Sequence, residues 1–143
     1  MRYVRKNLIG FAEQEPMLVD EGIGFNLCFR DDISLSDLKE AKFDRLARIL
    51  DMEKFVASRT LGYTVNEKNV TTSGGEKQKI SILRVLLKNP DVMIFDEPTS
   101  ALDAEAAKGF AECLREIQNE KIVIVITHSE SLMIACDEVI RVP

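Results

Sequence analysis

Two adjacent carboxylates, Asp96 and Glu97, follow a short, continuously apolar run, Val92-Met93-Ile94-Phe95. One imidazole, His128, comes just after another such run, Ile122 to Ile126. Apolar runs of this length read as strands buried on both faces of a parallel sheet. In open parallel sheets ligand groups gather beyond the carboxyl ends of the strands, so the three side chains are expected to converge. A carboxylate there can hold Mg²⁺ directly or through water. The carboxylate beside it can orient or deprotonate an attacking water. An imidazole can touch a transferring phosphoryl group. A second constellation is Ser73-Gly74-Gly75, placed just before a helical stretch. Free amides and the helix dipole make such a turn an anion site, and glycine lets backbone come close to a phosphate. Taken alone, each group also has a plain structural reading: two strand-end acids, a capped histidine, an ordinary helix N-cap. The hexapeptide Pro98-Thr99-Ser100-Ala101-Leu102-Asp103 after the acids, and the short spacing from Gly75 to the Val92–Phe95 strand, favour the chemical one.

The elements that must position these residues are legible along the chain. Leu8 to Ala12 reads as a short strand, and Glu15-Pro16 then forces an irregular stretch loosened by Gly22 and Gly24. Ser34 with Asp37 signals a helix start, with Leu35, Leu38, Leu46, Ile49 and Leu50 as an apolar stripe behind it. A second short helix is expected over Glu53 to Ala57, and a polar loop over Leu61 to Thr72. Gly75 to Leu87 reads as a helix ended by Asn89-Pro90. Ala106, Phe110, Cys113, Leu114 and Ile117 mark an amphipathic helix. A short helix near Glu130 to Ala135 and a last strand, Val139 to Val142, complete the pattern. Alternating strands and helices imply right-handed crossovers and a parallel sheet. Residues 31–89 hold almost only helices and loops and read as a helical insertion on that α/β core.

The 143 residues are one domain's worth of chain, enough to bury a core. A hydrophobic content of 45% with 30% charged residues is that of a soluble globular protein. The net charge of −5 argues against a nucleic-acid partner. No apolar run approaches the roughly 20 residues of a bilayer-spanning helix, and the N-terminus lacks the apolar stretch of a signal peptide. Cys28, Cys113 and Cys136 are scattered and odd in number, which fits reduced thiols of a cytoplasmic protein.

With these residues in place, the chain resembles the ATPases of the ATP-binding cassette (ABC) family. Thr72-Ser73-Gly74-Gly75-Glu76 looks like the signature pentapeptide, usually Leu-Ser-Gly-Gly-Gln, with Thr72 for Leu and Glu76 for Gln. Val92 to Glu97 resembles Walker B with its catalytic glutamate, and Ser100 to Asp103 the D-loop. Thr127-His128-Ser129 resembles the switch-histidine motif, and Glu13-Gln14-Glu15-Pro16 the Q-loop. The motifs follow the family's order and span essentially the whole chain. The resemblance implies a partial P-loop NTPase-like α/β core of mainly parallel sheet with an inserted helical subdomain. Residues 1–30 would hold the Q-loop region, 31–89 the helical subdomain with the signature, and 90–143 the core with Walker B, D-loop and switch histidine. It implies that Asp96 helps hold Mg²⁺ and that Glu97 acts as general base. His128 would contact the γ-phosphate of ATP, and Gln14 would sense Mg²⁺ and the attacking water. Ser73, Gly74, Gly75 and Glu76 would close over an ATP held by a second such domain, with Asp103 reaching across that interface.

Gly62 to Asn69 resembles the loop before the signature in exporter-type members, with Asn66 and Asn69 where that pattern has glycines. Its acid, Glu67, would lie near the coupling helices of a transmembrane exporter domain, at the cytoplasmic face of a membrane. The stretch from Gln14 to Asn26 is exporter-like too, with Asn26-Leu27 opening the helical subdomain. No Gly-Lys dipeptide occurs, so no P-loop of the form G-x-x-x-x-G-K-[ST] is present. The family carries that loop upstream of the Q-loop and usually continues beyond the position of Pro143. The chain is therefore expected to be a truncated ATPase domain, inactive alone, whose sheet lacks a central strand and whose open edges favour self-association. Two other readings remain: a non-catalytic ABC-like module that binds a partner, and half of a DNA-repair type ABC ATPase. The second is disfavoured because Gln14 and Ser73 lie close in sequence with no heptad coiled coil between them.

Overall fold

The computed structural model describes residues 8–29, 42–53, 64–65 and 72–142. Its main sheet has three parallel strands, β1 (Ile9–Ala12), β4 (Val92–Asp96) and β5 (Ile122–Ile126), in the order β1-β4-β5. The register runs Ile9–Val92–Ile122 at one end to Ala12–Phe95–Val125 near the other. A second, two-stranded antiparallel ribbon pairs β2 (Glu21–Gly22) with β3 (Thr64–Val65). Five helices are described: α1 (Ile23–Cys28), α2 (Phe43–Ile49), α3 (Gly74–Lys88), α4 (Ala104–Ile117) and α5 (Glu130–Ala135).

The sequence dictates where the two long helices start and stop. Ser73 caps α3 by accepting from the Glu76 amide at 3.2 Å, while the Glu76 carboxylate accepts from the Ser73 amide at 2.7 Å. This reciprocal capping box satisfies two of the donors a helix start leaves open. Asn89, in left-handed conformation (φ 48°), ends α3 ahead of Pro90. Asp103 caps α4 through a 2.8 Å bond from the Ala106 amide. Asn26 does the equivalent work for the irregular stretch. Buried, its amide group accepts from the Val19 N–H and donates to the carbonyls of Val19, Glu21 and Gly22.

The core lies on one face of the sheet. Gly10, Ala12, Met93, Phe95, Val123 and Val125 share that face by the alternation of strand side chains and by register. Over it pack α3, whose Val85 approaches Gly10, and α4, whose Phe110 meets Phe95 edge-on at 5.1 Å between ring centroids. The helices at 23–28 and 43–49 pack on α3, and the latter also on α4, where Arg45 is ion-paired with Glu116. α5 packs on α4 and adds Leu132 and Ala135 to the core.

Three expectations are corrected. β4 and β5 are not buried on both faces: Ile122, Ile124 and Ile126 are about half exposed, as is Phe11 of β1, because the helices that pack on the sheet cover the other face. The described strands of the sheet are contiguous, with β1 and β5 at its edges, so any further strand of a larger sheet would add outside β1 or β5. Val139 to Val142 form no strand and are exposed, since an extended segment becomes a strand only by pairing and no described strand pairs with them. The expected loop between Leu61 and Thr72 contains β3, whose partner β2 is remote in sequence. Leu46 and Ile49 fall in α2, whereas Ser34, Leu35 and Leu38 lie outside the described residues, as does most of the helix expected over Glu53 to Ala57.

At Gly109, α4 meets α2 so closely that an added Cβ would stand 2.3 Å from the Ile49 carbonyl oxygen. Backbone cannot yield as a side-chain tip can. Gly109→Ala is therefore expected to destabilise the fold by about 1–3 kcal/mol, although alanine is intrinsically the better helix former by roughly 1 kcal/mol. Urea unfolding, with an unchanged dependence on denaturant, checks this.

Candidate functional site

The strand ends and the starts of α3 and α4 bring the chemically capable side chains into two clusters. The first lies beyond the carboxyl ends of the three parallel strands. Asp96 is the last residue of β4, opposite Ile126 of β5, and is partly buried. Glu97 extends the ladder by one bond, its amide donating to the Ile126 carbonyl at 2.8 Å. The His128 Nε2 then stands 3.7 Å from Glu97 Oε1. The imidazole is fully exposed, whereas the Glu97 side chain keeps only 19% of its exposure. The expected convergence of Glu97 and His128 is thus present across two strands. Gln14 sits just past the end of β1, next to β4, and is exposed. Its neighbour Glu13 is held by the buried Gln78 of α3, whose Nε2 donates to the Glu13 carbonyl at 3.4 Å.

Glu97 has φ 43°, a left-handed backbone that a glutamate adopts at a cost of order 1 kcal/mol. The turn it opens is closed by the Ser100 amide on the Glu97 carbonyl at 3.1 Å and the Leu102 amide on the Thr99 carbonyl at 3.2 Å.

The second cluster is the start of α3 with Asp103. Because Ser73 and Glu76 satisfy each other, the Gly74 and Gly75 amides are the first-turn donors left facing outward from the helix end. The Glu76 carboxylate is committed to the cap rather than to a ligand. Its charge beside the two amides works against a bound anion, where the glutamine usual at this position would not. Gly74 is open, with nothing within 4 Å of an added Cβ. Gly75 is not: its Cβ would stand 2.6 Å from the Ala101 carbonyl oxygen. The two glycines therefore do different jobs, one giving access to the amides and one allowing the Glu97–Asp103 turn to lie against the helix.

Asp103 is engaged on both oxygens, by the Ala106 amide and by the Lys79 Nζ at 3.1 Å. These bonds hold its carboxyl below the usual carboxylate range, the Ala106 amide first and Lys79 next. Lys79 is the residue sequence reasoning missed. The sequence carried no signal for it: that Gln78, Lys79, Ile80 and Ser81 are all buried, so that the ammonium requires a partner, is seen only in the fold. Glu67, Asn66 and Asn69 lie outside the described residues.

No group of three or more histidine, cysteine or acidic side chains converges among the described residues. Mg²⁺ does not need such a cage, because it keeps waters and substrate phosphates and takes one or two carboxylates; Asp96, partly buried at the end of β4, is a carboxylate of that kind, with Gln14 at the end of the neighbouring strand.

Comparison with known proteins matches residues 2–100 to the family model described as ABC transporter. The mouse protein named ATP-binding cassette sub-family B member 10, mitochondrial, is 36% identical over 125 residues, which are 86% of this chain and 17% of that protein. A putative multidrug export ATP-binding/permease protein of Bacillus subtilis (strain 168) is 34% identical over 138 residues, 94% of this chain and 23% of that protein. Among solved structures, a bacterial Atm1-family ABC exporter with ATP bound superimposes with a TM-score of 0.75 at 30% identity, over 92% of this chain and 23% of that one. The chain thus spans about a fifth of the length of these relatives.

The unequal glycines give a direct check. Gly75→Ala is expected to lose about 1–3 kcal/mol of stability through the clash with Ala101. Gly74→Ala should stay within about 0.5 kcal/mol of the parent. Thermal unfolding of the two single variants, side by side, measures the contrast.

Proposed function

The chain belongs to the ABC transporter family, and from that premise we propose that it is part of the ATP-binding and hydrolysing domain of an exporter. The observation that carries the proposal is the meeting of Glu97 and His128, 3.7 Å apart beside Asp96, beyond the ends of parallel strands. In this reading Asp96 holds Mg²⁺ and Glu97 is the general base that orients and deprotonates the attacking water. His128, exposed and in reach of Glu97, contacts the terminal phosphate. Gln14, at the end of the neighbouring strand, senses the metal and the water. Bound Mg²⁺ would neutralise charge on the phosphates. The Gly74 and Gly75 amides receive the phosphates of an ATP held by a second such domain, with Ser73 and Glu76 shaping that turn and Asp103 at its border. The 1–30, 31–89 and 90–143 portions then act as Q-loop region, helical subdomain and core of one ATPase domain.

The partners proposed are a second ATPase domain and a transmembrane exporter domain, and the site of action is the cytoplasmic face of a membrane. Relatives several times longer than this chain support the idea of further domains. So does the bare apolar face of Phe11, Ile122, Ile124 and Ile126, because parallel sheets are normally covered on both faces. We propose that the rest of the ATPase domain, bearing a P-loop, packs there. The sequence holds no Gly-Lys dipeptide to form that loop, so this chain alone is proposed not to turn over ATP.

Mg·ATP hydrolysis by the chain alone and with a P-loop segment supplied, each beside Glu97→Gln, tests this. Turnover is expected only with the segment, and Glu97→Gln should then lower it by roughly 10²–10⁴-fold, the usual contribution of a general base. Glu97-dependent turnover by the chain alone would contradict the need for a P-loop. Assembly with the segment but no turnover would favour a non-catalytic binding module.

A further inference from the structure

Lys79 lies inside α3, in the turn after the Ser73–Glu76 cap, and its side chain is 10% exposed. A desolvated ammonium is costly unless paired. Its partner is a carboxylate oxygen of Asp103, 3.1 Å away, while the other oxygen of the same carboxylate caps α4. One side chain of α3 thereby grips the point where the Glu97–Asp103 turn becomes a helix. Near it, Gly75 lets the Ala101 carbonyl rest against the helix start. At the far end of the turn, the Glu97 amide is bonded to β5. The turn is fixed to the sheet at one end and to α3 at the other.

We infer that Lys79 is a positioning residue, whose ion pair with Asp103 holds the turn that carries Glu97 in register with the Gly74 and Gly75 amides. Its consequence for catalysis rests on the ATPase reading above; the clamp itself does not. Without the pair the turn keeps its bond to β5 and the packing of Ala101 on Gly75 but loses its one charged tie to α3 among the described residues. Loss of Lys79 therefore loosens the segment locally and leaves the core intact. Arginine, which keeps the charge and the reach, restores the clamp. Methionine, an unbranched side chain without charge, does not.

Amide hydrogen exchange on the chain itself tests this without any nucleotide. In Lys79→Met the Ser100 and Leu102 amides, both hydrogen-bonded within the turn, are expected to exchange roughly five- to tenfold faster, as local openings do when one tertiary tie is removed. Amides of β4 should hold their rates, and Lys79→Arg should return Ser100 and Leu102 to the parent rates. Asp103→Asn gives the same local acceleration, since asparagine still caps α4 but leaves Lys79 unpaired; it serves if Lys79→Met does not fold. Parent rates at Ser100 and Leu102 in Lys79→Met or Asp103→Asn would overturn the inference. So would an equal acceleration at every protected amide, which marks global loss of stability, or a failure of Lys79→Arg to restore the rates. Because exchange needs no ATP, failure here leaves the ATPase reading standing, and an inactive ATPase leaves the clamp standing.

Discussion

The backbone of Glu97 governs this structure's chemistry. A strand that ends in a left-handed glutamate must turn at once, and the turn from Glu97 to Asp103 connects everything else. Its first amide is still part of the sheet, bonded to Ile126. Its last side chain already caps α4. Between them, the Ala101 carbonyl rests where only a glycine at position 75 allows it. The strand-end cluster of Asp96, Glu97, His128 and Gln14 and the helix-start cluster of Ser73, Gly74, Gly75 and Glu76 are remote in sequence. This one turn runs from the first to the second, touching Gly75 through Ala101.

The two clusters differ electrostatically in ways that suit different tasks. At the strand ends, two carboxylates and one imidazole offer places for a cation, a water and a proton. At the helix start, backbone dipoles offer a place for an anion, tempered by the Glu76 carboxylate that the cap requires. The first surface suits a cation and the second an anion, and the Glu97–Asp103 turn joins the two. Among the described residues, the sheet that presents them is covered on one side by α3 and α4, while on the other its isoleucines are about half exposed.

Local chemistry made the long elements legible. Serine at the start of α3 and Asn89-Pro90 at its end bracket the helix, and unbroken apolar runs locate β4 and β5. The convergence of Glu97 with His128 followed from parallel strand order alone. What escaped was non-local. A two-residue strand at Thr64–Val65 exists because Glu21–Gly22 lies alongside it. Val139 to Val142 has strand composition but no neighbour to pair with among the described strands. Whether an apolar strand is buried on one face or two depends on what packs over it, and the composition of Ile122 to Ile126 is equally compatible with both. The Lys79–Asp103 pair joins two residues that nothing in their sequence neighbourhoods connects.

If the Glu97 backbone is strained to serve the site, relieving the strain should stabilise the fold while removing the carboxylate. Equilibrium unfolding of Glu97→Gly beside Glu97→Gln measures this directly. The account predicts Glu97→Gln close to the parent and Glu97→Gly more stable by up to about 1 kcal/mol, because glycine takes a left-handed backbone without penalty. A Glu97→Gly protein less stable than both would contradict it, showing that the turn draws its conformation from the glutamate side chain and stores no strain.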